Sequence, residues 1–170
     1  MRLINTAIVI SICALWTIDS LAKELVLEVH KAEDKQVMFS RVGEIAENGF
    51  IDWGNVSKIA KASSLGVGFD GKKTAVLVYG DDDDEKKLLY RVGHVDSESL
   101  TISWGASEAI GFKGRSPGVT IRGNRVILSM KGASKNNLYV VTGVIQGERK
   151  QVVWGNTQIF DEKGTSIDID

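Results

Sequence analysis

Apolar and polar residues alternate along this chain in short runs, and the runs return at a fixed distance. Leu25–His30 (LVLEVH), Ala75–Gly80 (AVLVYG) and Val126–Lys131 (VILSMK) each carry a period-two pattern enriched in branched residues. That period predicts β-strand, because successive side chains of a strand point to opposite faces. Alternation places Leu27 and Val29 on one face, with Leu77 and Tyr79, then Leu128 and Met130, as counterparts. Glu28, Val78 and Ser129 correspond on the other face. A longer block follows each run: VMFSRVGEIAENGFIDWG at 37–54, LLYRVGHVDSESLTISWG at 88–105 and LYVVTGVIQGERKQVVWG at 138–155. Gly43, Gly93 and Gly143 stand 50 residues apart, and Trp53, Trp104 and Trp154 stand 51 and 50 apart. A constant spacing of this size marks a repeat architecture.

Each repeat divides into four predicted strands. After the first strand and a variable polar loop, the second ends in Arg41-Val42-Gly43, Arg91-Val92-Gly93 or Val141-Thr142-Gly143. A glycine inside a strand pattern predicts a bulge or a close backbone approach. The third strand is FIDWG (50–54), LTISWG (100–105) or QVVWG (151–155), its tryptophan sharing a face with Ile51, Ile102 or Val152. The fourth is SLGVGFD (64–70), SPGVTIR (116–122) or TSIDID (165–170). Asp70-Gly71 and Gly123-Asn124 signal tight turns into the next repeat. Pro117, the single proline, is expected at the entrance of its strand, where a missing donor costs least. With no helical period of useful length, the expected fold is all-β. It comprises one domain over 23–170, with repeats at about 24–73, 74–125 and 126–170.

The first 22 residues stand apart. Arg2 supplies a positive start, 7–18 is an apolar run, and Ser20-Leu21-Ala22 is a small-x-small cleavage site. This is the pattern of a secretory signal peptide, too short for a membrane span, and it predicts a secreted protein. Cys13, the one cysteine, lies inside it. Residues 23–170 therefore have no thiol or disulfide, and the domain must stand on its apolar core. The charges balance at 21 basic and 22 acidic residues. That balance excludes the concentrated basic face a nucleic-acid partner requires, and a polybasic membrane anchor as well.

The repeats start on a first strand and finish on a fourth, an offset that lets the last strand complete a sheet with the first and seal a ring. Two closures fit three four-stranded units: a β-trefoil, or β-propeller-type blades. A propeller normally needs ~4–8 blades, so three would have to assemble, for example as a homodimer of six.

The motifs L-x-Y-R-V-G, I-x-W-G, S-P-G-V-x-I and V-I-L resemble the "YRVG…WG…PSVAL…VVEVH" repeats of secreted proteins, which are similar in layout to blades of lectin-like and sialidase-like propellers. The resemblance covers 24–170, with Leu27–His30 and Tyr90–Gly93 as its closest matches. It departs in the third repeat, where Val141-Thr142 replaces Arg-Val. What it implies is a binding module.

Candidate chemistry is sparse. Trp53, Trp104 and Trp154 recur once per repeat; such a ring can stack on a sugar or serve as the repeat's packing anchor. Arg41 and Arg91 occupy equivalent strand positions, where a planar guanidinium can hold a carboxylate or sugar hydroxyls, or pair across strands. The acid run Asp81–Glu85 is consecutive rather than alternately spaced, and its sister loops lack it, so it is expected to be a solvated loop rather than a calcium site. Asn55-Val56-Ser57 is an N-glycosylation sequon. His30 and His94 are the only histidines, at non-equivalent positions, and no catalytic triad, HExxH, phosphate loop or aspartate box occurs. The pattern implies no enzyme, no cofactor and no metal. Two functions follow as expectations. One is a secreted lectin-like module with multivalent glycan sites. The other is a secreted structural or interaction protein whose partner is extracellular protein.

Overall fold

The computed structural model describes residues 23–32, 36–84, 87–133, 137–147 and 151–163. The predicted signal segment (1–22) and the predicted last strand (165–170) lie outside the described residues. Every regular element described is a strand: β1 (Leu25–Lys31), β2 (Val37–Ile45), β3 (Ile51–Trp53), β4 (Ser57–Lys61), β5 (Leu65–Phe69), β6 (Thr74–Gly80), β7 (Lys87–Asp96), β8 (Thr101–Trp104), β9 (Glu108–Arg122), β10 (Arg125–Gly132), β11 (Asn137–Gln146) and β12 (Gln151–Lys163). All pairings are antiparallel. They form a four-stranded sheet, β1-β2-β3 with β4 also on β2, and an eight-stranded sheet, β12-β11-β10-β9-β7-β6-β5 with β8 on β7. Neither is closed into a barrel.

Three meanders share one register. In each, the second-strand glycine pairs both ways: Val26↔Gly43↔Trp53, Ala75↔Gly93↔Trp104 and Val126↔Gly143↔Trp154. The glycine is there because the indole lies on it. A β-carbon at Gly93 would sit 2.8 Å from Trp104 ring atoms, and the other two positions are similar. The predicted close approach is realised at all three, with a cross-strand aromatic covering each bare backbone position, and at Gly143 the pairing with β12 also shifts register.

This register corrects the predicted alignment of the first strands by one residue. Val26, Glu28 and His30 are the counterparts of Ala75, Leu77 and Tyr79, rather than Leu27 and Val29. A one-residue slip moves every side chain to the opposite face, so Glu28 occupies the site that Leu77 and Leu128 fill with carbon.

The fourth strands run through the predicted turns into hairpins with the next repeat. β5 pairs with β6, and the second half of β9 pairs with β10, so each joins the following meander across its tight turn. The predicted turns stand: Gly71 and Gly123 take φ of 74° and 62°, and Asp70 Oδ1 accepts from the amides of Lys72, Lys73 and Thr74. Strand β4 was not predicted, and β9 is longer than predicted because its first half pairs with β7. Pro117 therefore lies inside β9, at the register shift between the Gly118 and Arg115 pairings, where no ladder bond is lost.

The faces bearing the tryptophans will be called front and the opposite ones rear. The rear of the first meander packs on the front of the second: Leu25, Val42 and Met38 meet Ala75, Leu77, Tyr79, Val95 and Ile102. The rear of the second packs on the front of the third, with Val76, Val78, Leu88 and Tyr90 against Val126, Leu128, Met130 and Val152. Gly66 and Gly68 let β5 lie against β9; a β-carbon on Gly66 would be 2.2 Å from the Pro117 carbonyl.

A polar group tethers the second of these interfaces. Tyr90 Oη donates to Glu108 Oε2 at 2.7 Å and accepts from the Val152 amide at 3.3 Å, while Gln151 Nε2 donates to Glu108 Oε1 at 2.6 Å. Burial first, and then the Glu108 carboxylate, push the Tyr90 phenol up to about 12, above the ~10 of an unfolded tyrosine. The folded chain therefore holds this proton more tightly. The corresponding stability is fully present below pH ~10 and is lost as pH rises through the folded value. Urea melts from pH ~9 to ~12 should show alkaline destabilisation that Tyr90→Phe reduces. An identical alkaline slope in the variant would refute this role.

Candidate functional site

The strand register brings one set of chemically active side chains together, on the front of the first meander. Glu28 pairs with Arg41, and His30 with Phe39, across β1 and β2. Trp53 follows on β3 beside Gly43. Because paired residues share a face, all these groups project to the same side. The Arg41 guanidinium lies 4.1 Å from the centroid of the Trp53 ring and its Nε pairs with Glu28 Oε2. On the other side of Glu28, His30 Nδ1 stands 3.2 Å from Oε1, and the imidazole stacks on Phe39 with centroids 5.7 Å apart. An arginine held between a carboxylate and an indole face is oriented by charge on one side and by the ring quadrupole on the other.

This face is open. Trp53 and Ile51 are each 37 % exposed, and Phe50, just before β3, is 73 % exposed. The predicted counterparts of Trp53 have a different fate. Trp104 packs into both clusters between the first and second meanders, and its Nε1 donates to Ser40 Oγ at 3.1 Å. Trp154 packs between the second and third, edge-on to Tyr90 at 5.7 Å. Arg91 contacts no tryptophan ring equivalent to that of Arg41; its Nε donates to Tyr79 Oη at 3.3 Å and its Nη1 to the Gly105 carbonyl at 3.2 Å. Arginine and tryptophan thus converge at Arg41 and Trp53, while Arg91, Trp104 and Trp154 are joined into the framework.

Glu28, His30 and Phe39 were missed as site members. The misaligned first strand put Glu28 opposite Val78 and Ser129, and hid that a charge replaces the leucines of the other meanders.

The remaining candidates sort plainly. Asn55 is exposed in the turn between β3 and β4, which leaves its sequon accessible. Three residues of the acid run meet lysines on three strands: Asp82 with Lys61, Asp81 with Lys87 and Asp84 with Lys113. Among the described residues no cluster of histidine, cysteine, aspartate or glutamate could hold a metal ion, and no helix is long and apolar enough to cross a membrane. A shallow depression of about 620 Å³ lies beside Phe112, Lys113, Met130 and Tyr139, remote in sequence from the Arg41–Trp53 group and without an acid–base pair. No family model matches the chain, and neither does any curated protein or solved structure.

Proposed function

We propose that the chain is a secreted interaction module built from three propeller-type blades, whose binding surface is the open front face of its first meander. The blade reading is supported by the common register of the three meanders and by their rear-to-front stacking, the layout of four-stranded units arranged in series. The observation that carries the function is a difference in burial. The front that is packed in the second and third meanders is exposed in the first at Ile51 and Trp53, and Phe50 just before β3 is exposed beside it. Clustered exposed aromatics beside an oriented arginine have the composition of a protein-recognition surface.

A second reading, the lectin-like one, draws on the same group. An exposed indole flanked by Arg41, Glu28 and His30 offers a stacking plane and hydrogen-bonding groups for one sugar. It would be a single site, since Trp104 and Trp154 serve packing.

One pair of proteins tests both readings: the chain expressed from its full sequence, and its Trp53→Ala variant. Each is presented to a glycan array and to the extracellular fraction of its source. The expected result is a polypeptide retained by the first and lost by the second, with a blank array. A glycan bound by the first alone would establish the lectin reading in its place. Equal retention by both proteins, with a blank array, would overturn the open-face assignment.

A further inference from the structure

We infer that the partner of this open face is a second copy of the same chain, seated rear-to-front as the meanders seat on one another within one copy. The inference rests on the interaction-module reading and names the occupant. The chain contains the contact twice. In both instances a residue at one position of the middle strand, Ser40 on β2 or Tyr90 on β7, receives the tryptophan of the next meander. The third meander carries the same position as Val140 on β11, opposite Ser129 as Ser40 is opposite Val29.

On its rear face the β11 positions are less covered than their counterparts, while Ser129 on β10 is 1 % exposed. Thr142 is exposed, whereas its counterparts Val42 and Val92 are 0 % and 5 % exposed. Leu138 and Val140 are half-buried, whereas Met38 and Leu88 are 0 % and 1 % exposed. Each copy therefore presents one unfilled front, around Trp53, and one unfilled rear, around Val140 and Thr142. These are the two halves of a contact the chain already makes internally. Such a contact is heterologous, and it closes when the rotation per copy allows. Two copies would bring six meanders into one ring, within the ~4–8 units that propellers use.

An unpaired strand edge points the same way. β6 and β10 each have a neighbour from the preceding meander, β5 and β9. β1 pairs only with β2 among the described residues. That edge is open to main-chain pairing with a strand of the second copy.

Sedimentation of the purified chain tests the inference, together with Trp53→Asp on the front and Thr142→Arg on the rear. Both substitutions are at exposed positions, and near-ultraviolet circular dichroism checks that each variant is folded. The unsubstituted chain is expected at twice the monomer mass, and each variant alone at the monomer mass. An equimolar mixture of the two variants is expected to recover a two-copy particle, because the Thr142→Arg copy keeps an intact front and the Trp53→Asp copy an intact rear. A monomeric unsubstituted chain would overturn the proposal, and so would association that Trp53→Asp abolishes while Thr142→Arg leaves it intact, since that describes front-to-front contact. If the chain is monomeric yet retains a different polypeptide through Trp53, the second-copy assignment falls and the interaction-module reading stands.

Discussion

Trp104→Ala is expected to lower the stability of the folded chain by about 3 kcal/mol, and Trp53→Ala by less than ~1 kcal/mol, although the two residues occupy the same place in the repeat. Trp104 joins two core clusters and holds Ser40 Oγ, which is itself fully buried. Its removal leaves a cavity between two meanders and strands a buried hydroxyl, and both effects destabilise. Trp53 is over one-third exposed and loses chiefly its contact with Arg41. Urea denaturation in dilute solution, where association adds nothing to apparent stability, compares them directly. Equal losses would show that the first front is as structural as the second.

A paired substitution one strand away gives the second large effect. Gly93→Ala places a β-carbon 2.7 Å from Ile102 Cδ1 and 2.8 Å from the Trp104 ring. Neither neighbour can yield: Ile102 is buried, and Trp104 is packed and hydrogen-bonded. Overpacking of this kind costs about 2 kcal/mol. Gly43→Ala makes an equally close approach, 2.5 Å from Ile51 Cγ2 and 2.8 Å from the Trp53 ring. There both neighbours are on the open face and can swing outward, so less than ~1 kcal/mol is expected. Thermal melts of the two variants decide it. A Gly43→Ala loss matching that of Gly93→Ala would mean that the open face is held as rigidly as the packed one.

These pairs show what was legible in the sequence. The all-β class, the common register of glycine and tryptophan and the tight turns at Gly71 and Gly123 follow from period and turn chemistry, which act locally. β4 was not legible because Ser57–Lys61 is largely polar and pairs along only part of β2. The length of β9 was hidden by Pro117, which reads as a strand entrance but sits at a register shift. The site was the least legible part. Trp53, Trp104 and Trp154 look alike in sequence, and they diverge only because the second and third meet a preceding meander. Glu28 was obscured by the alignment of the first strands, an error of one residue that only the pairing to Arg41 exposes.

The path of β9 has a mechanical consequence. It runs unbroken from the second meander into the third, pairing with β7 along its first half and β10 along its second. The first meander is joined to the second by the short link 62–64, by the bonds between Ser63, Ser64 and Gly80, and by side-chain packing. A load that separates the second and third meanders must unzip a ladder along a shared strand, while a load on the first meets mainly side-chain contacts and one link. The molecule thus has a stiff joint and a compliant one, and the open aromatic face is carried on the far side of the compliant joint.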